Sequence, residues 1–392
     1  MSAIPALPML KGIKVVDLTT VVFGPYCTQI LADLGAEVIK VETPGSGDVL
    51  RWAAKSAQTP GMSPAFFGFN HGKRSIALDL KQPDDNAVMR ALLGEADVFV
   101  ANVRGKPLER LGLDYEAVKA IRPDIVYVHC VGFGQHGPYA DLQAYDDVIQ
   151  AASGVTTLLP EVDGNPAPRF LPSLIADKVS GLHAAYAAIA ALFHHERTGE
   201  GQLVEVPMYE AFTSFMLSEH LGGLTFDPPV GPGGYRRQLD PDRQPFPTAD
   251  GHIVMVAYTY DAWDRIFALL DDPDFLQDAR FAGPQARAAA MPDMYRRIAE
   301  LSRQFTTAEL LKRCHAVQIP AQPVKDIPGV LVDPHLNAVG LFQSREHPSE
   351  GRYHEIVQPV KFGAMPAEER RAPPLLDQDG PAIRAELARK AD

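Results

Sequence analysis

The chain has 392 residues, of which 46% are hydrophobic and 22% charged, and its formal net charge at pH 7 is −12. This length favours two or three domains, and the composition is typical of a globular enzyme rather than a disordered or fibrous protein. The acidic balance argues against a nucleic-acid partner, because binding a polyanion requires a basic surface.

The first third of the chain alternates β-branched runs with stretches whose apolar residues recur at helical spacing. The predicted strands are residues 13–18, 36–41, 75–80, 97–100 and 125–131. The predicted helices between them are residues 25–34, 84–94 and 115–121. Strands that alternate with helices indicate a parallel sheet covered by helices, so the predicted fold class is α/β.

A long Ala-rich helix is predicted next, at residues 175–197, and Gly199 supplies its stop signal. A strand at 202–208 and a helix at 209–221 follow. Residues 222–247 are crowded with Gly, Pro and Arg, which indicates a linker into a second, smaller domain. The elements predicted after it are a strand at 253–257, helices at 262–270, 294–305 and 307–316, and strands at 340–346 and 354–361.

The cysteines and the apolar runs indicate the cellular compartment in which the protein is expected. Cys27, Cys130 and Cys314 lie far apart without C-x-x-C spacing, which supports neither a disulfide framework nor a zinc site. Residues 1–10 lack the pattern of a signal peptide, and the longest apolar run, 184–193, is shorter than the roughly 20 residues of a membrane helix. We therefore expect a cytoplasmic protein with no membrane partner and no metal site.

One glycine-rich motif resembles a dinucleotide fingerprint. Residues 132–137 match G-x-G-x-x-G after a predicted strand, but Pro138 follows directly. The fingerprint needs a helix whose N-terminus faces a pyrophosphate, and it opens the first βα unit of its domain. We therefore interpret the motif as a substrate loop. The motifs of P-loop kinases, serine hydrolases and H-E-x-x-H proteases do not occur in the chain.

Asp177 lies at the N-terminal end of the predicted long helix and has two interpretations. A carboxylate can act as a nucleophile that divides a difficult acyl exchange into easier covalent steps. An aspartate in a first turn can equally serve only to stabilise the helix through its dipole. The immediate sequence around Asp177 favours the second interpretation.

Several separate stretches, read together, resemble the class III CoA transferases, the CaiB/BaiF family that includes formyl-CoA transferase, carnitine CoA transferases and α-methylacyl-CoA racemase. These stretches are residues 10–19, 24–27, 34–42, 44–48, 70–75, 78–81, 96–98, 102–104, 110–112, 132–138, 198–202 and 248–251. The resemblance implies that Asp177 is the catalytic nucleophile and that it carries CoA as a covalent aspartyl thioester. It further implies acyl-CoA as a substrate rather than a tightly bound cofactor, and a small carboxylic acid as acceptor.

The resemblance also implies a set of CoA contacts. They are Val22, Phe23, Leu78, Asp79, Leu80, Lys81, Asn102, Val103, Arg104, Arg110, Gln143, Ala144, Tyr145 and Asp146. Thr43 and Gln143 stand where formyl-CoA transferase has arginine and lysine, so the phosphate contacts are expected to depend more on Arg104 and Arg110. For the oxyanion, candidate donors are backbone N–H groups at the helix terminus of Asp177 and near Gly134.

Two alternatives stay open beside the transferase. Racemases of the family carry Gly-His-Asp where this chain has Ala144-Tyr145-Asp146, and a tyrosine with a pKa of about 10 is a poor base near neutral pH. The transferase is therefore favoured over the racemase. A non-catalytic CoA-binding protein is the second alternative. The glycine-rich loop that shields the intermediate in formyl-CoA transferase has only a partial counterpart in residues 231–234, which favours a succinyl-CoA-type donor with a dicarboxylate acceptor.

Pattern and resemblance together predict the organisation of the chain. A large Rossmann-like domain with a parallel sheet is expected in residues 1–225, and a smaller α+β domain with its linkers in residues 226–325. Residues 326–392 are expected to return to the large domain and to form a C-terminal tail. The resemblance implies a homodimer of two interlocked chains.

Overall fold

The structure is a computed structural model that describes residues 8–363 and 370–391. The segment assessed for a signal peptide and the predicted C-terminal tail therefore lie partly outside the described residues. The strands are β1 Lys14–Leu18, β2 Glu37–Glu42, β3 Arg74–Ala77, β4 Val98–Ala101, β5 Val126–Val131, β6 Gln202–Pro207, β7 Phe246–Pro247, β8 His252–Met255, β9 Ala321–Pro323, β10 Phe342–His347 and β11 Gly351–Ile356.

The helices in the first half of the described chain are α1 Phe23–Asp33, α2 Pro64–Asn70, α3 Pro83–Glu95, α4 Gly105–Leu111, α5 Tyr115–Ile121, α6 Asp146–Ala152, α7 Leu158–Asp163 and α8 Ile175–Thr198. Those in the second half are α9 Met208–His220, α10 Tyr260–Leu269, α11 Pro284–Ala289, α12 Met291–Leu301, α13 Thr307–Ala316, α14 Ile327–Leu331, α15 Pro334–Ala338 and α16 Gly380–Ala391. None of the described helices has the length and apolar character needed to cross a membrane.

Six strands form one parallel sheet in the order β3-β2-β1-β4-β5-β6. The central strands are buried on both faces, as the apolar runs of a helix-covered parallel sheet require. The chain order reverses at β1, which pairs with β2 on one side and β4 on the other. In such sheets ligands bind outside the carboxyl ends of the strands at this reversal. The predicted α/β class with a Rossmann-like sheet is confirmed.

The two faces of the sheet carry different helices. Phe99 and Tyr127 pack in one apolar cluster with Met89 of α3 and Ile383 of α16. On the other face α1 packs closely against α8, half of whose buried residues are alanines. Small side chains allow two helix backbones to approach closely, so the Ala-rich composition of α8 is compatible with close packing against α1.

The described residues divide into two compact units: the first holds those up to 155, 170–217 and those from 337 onward, and the second holds 156–169 and 218–336. The second unit contains the antiparallel sheet β7-β8-β9 and a core that includes Trp263, Phe267 and Ile298. This is the α+β architecture expected of the smaller part. The domain boundaries expected at 225 and 325 remain predictions.

Two predicted strands differ from the structure by three residues or more at one or both ends. β3 ends at Ala77 instead of residue 80, because Asp79 turns the chain: its carboxylate accepts the N–H of Lys81 at 3.2 Å and its own N–H donates to Asp85. The last strand covers 351–356 instead of 354–361. It pairs with β10 in a separate hairpin, and that ladder ends where Ile356 faces Phe342.

Candidate active site

A tightly held turn joins β1 to α1 at the reversal of the strand order. The side chain of Asn102, just after β4, accepts the N–H of Thr20 at 3.0 Å and donates to the carbonyl of Thr20 at 2.8 Å. Val21 follows with φ of +69°, a conformation that β-branched residues rarely adopt. The predicted CoA contact Asn102 therefore holds the turn that leads to Val22 and Phe23.

Asp177 lies in the first turn of α8, where its carboxyl group is almost completely buried. Its backbone N–H donates to Asp146 Oδ2 at 3.0 Å, and its carboxylate lies near the backbone N–H of Phe23. Burial, with the negative charges of Asp146 and Asp147, raises the pKa of Asp177 to about 7, although the Phe23 N–H opposes the shift. The carboxylate is thus desolvated, and at neutral pH it is poised between its two protonation states.

Gly181 explains how α8 comes so near to α1. A Cβ at this position would lie 2.9 Å from the Phe23 carbonyl oxygen and 3.1 Å from the Tyr26 side chain. Gly181 is one helical turn after Asp177, so the glycine contact brings the carboxylate to the first turn of α1. Sequence reasoning did not identify Gly181, because a glycine inside a helix gives no sign of what it packs against.

Replacing Gly181 by alanine is expected to lower the free energy of unfolding by about 1–3 kcal/mol, because the new methyl group overlaps the Phe23 carbonyl. Chemical denaturation measures this change. Gly94→Ala is the matched control, since a Cβ there would make an ordinary contact of 3.8 Å with Ile121 and alanine favours the helix. Equal effects of the two substitutions would contradict a close contact at Gly181.

Asp146 begins α6 and is buried, whereas the neighbouring Tyr145 is exposed. Gln150, one turn later, donates to Asp146 Oδ1 at 2.6 Å and accepts the N–H of Leu171 at 2.9 Å. Gln150 thereby ties the segment before α8 to the residue that accepts the Asp177 N–H. Nothing in the sequence distinguished Gln150 from a surface glutamine.

The glycines of the G-x-G-x-x-G motif have a packing role. A Cβ at Gly132 would lie 2.3 Å from that of Ala144, so Gly132 admits the loop that carries Gln143, Ala144 and Tyr145. The N–H groups of Gly134 and Gln135 donate to the carboxylates of Glu210 and Glu205, at 2.9 and 3.0 Å. The prediction that N–H groups near Gly134 serve the oxyanion is therefore wrong, because carboxylates already occupy them.

Of the other predicted CoA contacts, Val22, Phe23 and Leu78 have buried side chains and can offer a ligand only main-chain groups. Asn86, a residue that sequence reasoning missed, donates to the carbonyls of both Leu80 and Leu111, at 3.2 and 3.0 Å. Asn86 thereby brings the turn at residues 78–81 beside the end of α4.

Three exposed cations lie in the loops that follow β3 and β4 and in the last turn of α4. They are Lys81, Arg104 and Arg110. Within the described ranges none of the three forms an ion pair, in contrast to Lys106, which contacts Asp141 at 2.9 Å.

The remaining predicted CoA contacts are Val103 and Gln143: the carbonyl of Val103 accepts a hydrogen bond from His129, and Gln143 is exposed. Groups of three or more His, Cys, Asp or Glu placed to hold a metal are absent from the described part of the chain.

Comparisons with known proteins identify the family to which the chain is similar. A sequence model of CoA-transferase family III matches residues 10–380. The chain is 32% identical to a succinate–glutarate CoA-transferase of Agrobacterium fabrum, with 97% of this chain and 96% of the relative covered. It is 30% identical to a formyl-CoA:oxalate CoA-transferase of Afipia carboxidovorans, with 93% and 91% covered. A crystal structure of a CaiB/BaiF family protein from Brucella suis superposes with a TM-score of 0.84 at 30% identity, covering 97% of this chain and 100% of that one.

Proposed function

This chain belongs to CoA-transferase family III, and we propose that it moves CoA from an acyl-CoA to a small dicarboxylate through a covalent intermediate on Asp177. The observation that carries the proposal is the buried Asp177 carboxylate in the first turn of α8, near the Phe23 N–H and with its pKa raised to about 7. A carboxylate stripped of water is a stronger nucleophile than a solvated one, and an adjacent N–H can stabilise charge on its oxygen during reaction.

The proposed reaction has two symmetrical halves. An oxygen of Asp177 attacks the donor thioester carbonyl, the C–S bond breaks, and a mixed anhydride and CoA thiolate form. The thiolate attacks the aspartyl carbonyl, which releases the donor acid as its carboxylate and leaves an aspartyl–CoA thioester. The acceptor carboxylate then attacks that thioester, and the expelled thiolate attacks the acceptor's acyl carbonyl, so that product thioester and free Asp177 are formed.

A dicarboxylate acceptor with a succinyl-CoA-type donor is supported by the relative whose name specifies succinate and glutarate. The relative named for formyl-CoA and oxalate has similar identity, so names alone do not separate the two substrate pairs. The incomplete match of residues 231–234 to the shielding glycine loop of formyl-CoA transferase favours the longer acids. We assign the acceptor to four- or five-carbon dicarboxylates on this ground.

The CoA phosphates are proposed to contact Lys81, Arg104 and Arg110, the exposed cations described above. Changing Arg110 to glutamine is expected to raise the KM for the donor thioester about tenfold with little change in kcat, because one charge-assisted contact is lost from ground and transition states alike. Lys106→Gln is the control, since Asp141 already neutralises that cation on the same helix. Steady-state kinetics that show an unchanged KM for Arg110→Gln would contradict the assignment.

We also propose a cytoplasmic homodimer with interlocked chains. Leu182, Tyr186 and Phe193 form an exposed apolar stripe along α8, at spacings of four and seven residues that place them on one helix face. The three cysteines are free and buried, as expected in a reducing compartment. Light scattering after gel filtration tests the assembly: a mass twice the 42.7 kDa of the chain supports the dimer, and a mass equal to it refutes it.

The experiment for the proposed function uses the whole protein with succinyl-CoA, acetyl-CoA or oxalyl-CoA and no acceptor. Intact mass should show one CoA adduct, which peptide mapping places on Asp177, and addition of glutarate or succinate should discharge it into a new thioester. Absence of both adduct and exchange across the panel would favour a CoA-binding protein. Exchange of the α-proton in deuterated water without acyl transfer would favour a racemase.

A further inference from the structure

We propose that Asp48 is a positioning residue for the acyl-transfer step: it holds the strained turn at Val21 so that the Phe23 N–H stays directed at Asp177. This inference rests on the proposed function of Asp177. Asp48 does not belong to the predicted site, and its carboxyl group is completely buried.

Asp48 binds the turn through one oxygen. Its Oδ1 accepts the N–H of Val21 at 3.1 Å and the N–H of Leu50 at 2.9 Å, while its own N–H donates to Glu42 Oε1 at 2.9 Å. A valine with φ of +69° persists only where its surroundings impose that conformation. The contact with Asp48 is made at the strained residue itself.

A buried lysine completes the hold on the turn. Lys40 Nζ lies 2.9 Å from Asp48 Oδ2 and donates to the carbonyl of Thr19 at 2.8 Å. Burial opposes its charge, but Asp17, Asp48 and Glu42 raise the pKa of Lys40, which therefore remains an ammonium ion. The Asp48–Lys40 pair thus contacts the turn at the Val21 N–H and at the Thr19 carbonyl.

The turn is short, so its geometry reaches the catalytic carboxylate directly. Phe23 lies two residues after Val21 and is the first residue of α1. Gly24 packs against Thr19 so closely that a Cβ there would lie 2.4 Å from the threonine methyl group, which leaves α1 little freedom to shift alone. A change at Val21 must therefore move the Phe23 N–H relative to Asp177.

The test substitutes Asp48 by asparagine. If the amide oxygen faces Val21, the amide NH₂ faces the Lys40 ammonium; if the group is reversed, the NH₂ faces the Val21 N–H. In either orientation two hydrogen-bond donors face each other, so the strained conformation at Val21 should relax. Loss of the Phe23 N–H removes the contact that favours ionised Asp177, while Asp146 and Asp147 on α6 still oppose its charge.

The first readout is the titration of Asp177 by ¹³C NMR of aspartate labelled at Cγ, with the signal assigned by its loss in Asp177→Asn. We expect the midpoint in Asp48→Asn to rise by about one pH unit, roughly tenfold in the ionisation constant, and the acid limb of the kcat profile to move equally. Asp379→Asn is the matched control, because this buried carboxylate also accepts a backbone N–H, that of Ser75, but on β3. It should leave the midpoint in place.

A midpoint unchanged from wild type in folded Asp48→Asn would overturn the inference, whether or not the wild type transfers CoA. Absence of transfer by the wild type refutes the proposed function instead, and the titration still decides the role of Asp48 in placing the N–H. Should Asp48→Asn fail to fold, Lys40→Met combined with Asp48→Leu removes both charges of the buried pair and leaves neither unpaired. The same rise in the midpoint is expected for this double variant, and no rise overturns the inference.

Discussion

Replacing Asp177 by asparagine is expected to lower CoA transfer at least about 10³-fold, because the amide cannot attack a thioester carbonyl. Asparagine has nearly the same shape as aspartate, so the turn and the helix packing should be preserved. The measurement is the rate of formation of the new thioester, together with intact mass after incubation with succinyl-CoA. No adduct is expected in this variant.

Asp147→Asn is the control for this prediction, since it is the same chemical change at an exposed position of α6 next to Asp146. Its turnover is expected to lie within about threefold of wild type, because it influences Asp177 only through a distant charge. An Asp177→Asn protein that still forms the adduct, or that loses less than tenfold in rate, would exclude Asp177 as the nucleophile.

The same Asp177→Asn substitution is expected to stabilise the fold at alkaline pH. The pKa of Asp177 is about 7 in the folded protein and 3.8 for an unperturbed aspartate. Between these two pH values the folded protein therefore holds a proton that the unfolded chain has already released. The free energy of unfolding of the wild type therefore falls as pH rises from about 4 to about 7 and stays lower above that. Asparagine cannot ionise, so the variant does not lose stability in this way. Its free energy of unfolding should exceed that of wild type by at most roughly 4 kcal/mol at pH 8.5, and by almost nothing at pH 4.

Denaturant unfolding of wild type and variant at pH 4.5 and 8.5 measures this difference, in the transition of the unit that contains α8. Asp85→Asn should give the opposite sign, because the Asp79 N–H and Arg384 outweigh partial burial and lower the pKa of Asp85. A variant at Asp177 that is no more stable than wild type at pH 8.5 would contradict the raised pKa. A gain in stability with a loss of activity is what a buried nucleophilic carboxylate implies, since its charge serves the reaction and not the fold.

The buried charges near the turn at Val21 include a second aspartate, Asp17, whose environment contrasts with that of Asp177. Lys73 Nζ contacts Asp17 Oδ2 at 3.1 Å, and both side chains are completely buried. Burial opposes the charge of Asp17, but Lys73 and Lys40, helped by two threonine hydroxyls, lower the pKa of Asp17 to about 2. Asp17 is thus permanently ionised and binds Thr19, whereas the surroundings of Asp177 disfavour its ionised form.

The parallel sheet and its helices followed from local sequence. The spacing of apolar residues reproduced α5 and α13 to the residue and α8 to within one, because strands and amphipathic or Ala-rich helices are determined by neighbours a few residues apart. The short α6 was missed, since it contains two acidic residues and too few turns to show a period. β11 was displaced, because its end depends on where β10 begins, and that partner strand is not visible in its own sequence.

Asp177 was singled out by the sequence, but only through its resemblance to a family; its own neighbours favoured a helix-capping role. What the tertiary structure decided is the set of contacts around it: the Phe23 N–H, Asp146 behind its backbone, and Gly181 one turn along α8. It also decided that N–H groups near Gly134 are occupied and that Asn86 and Asp48 matter. Each of these contacts joins residues far apart in the chain, and a side chain's pKa and reach depend on such neighbours rather than on adjacent residues.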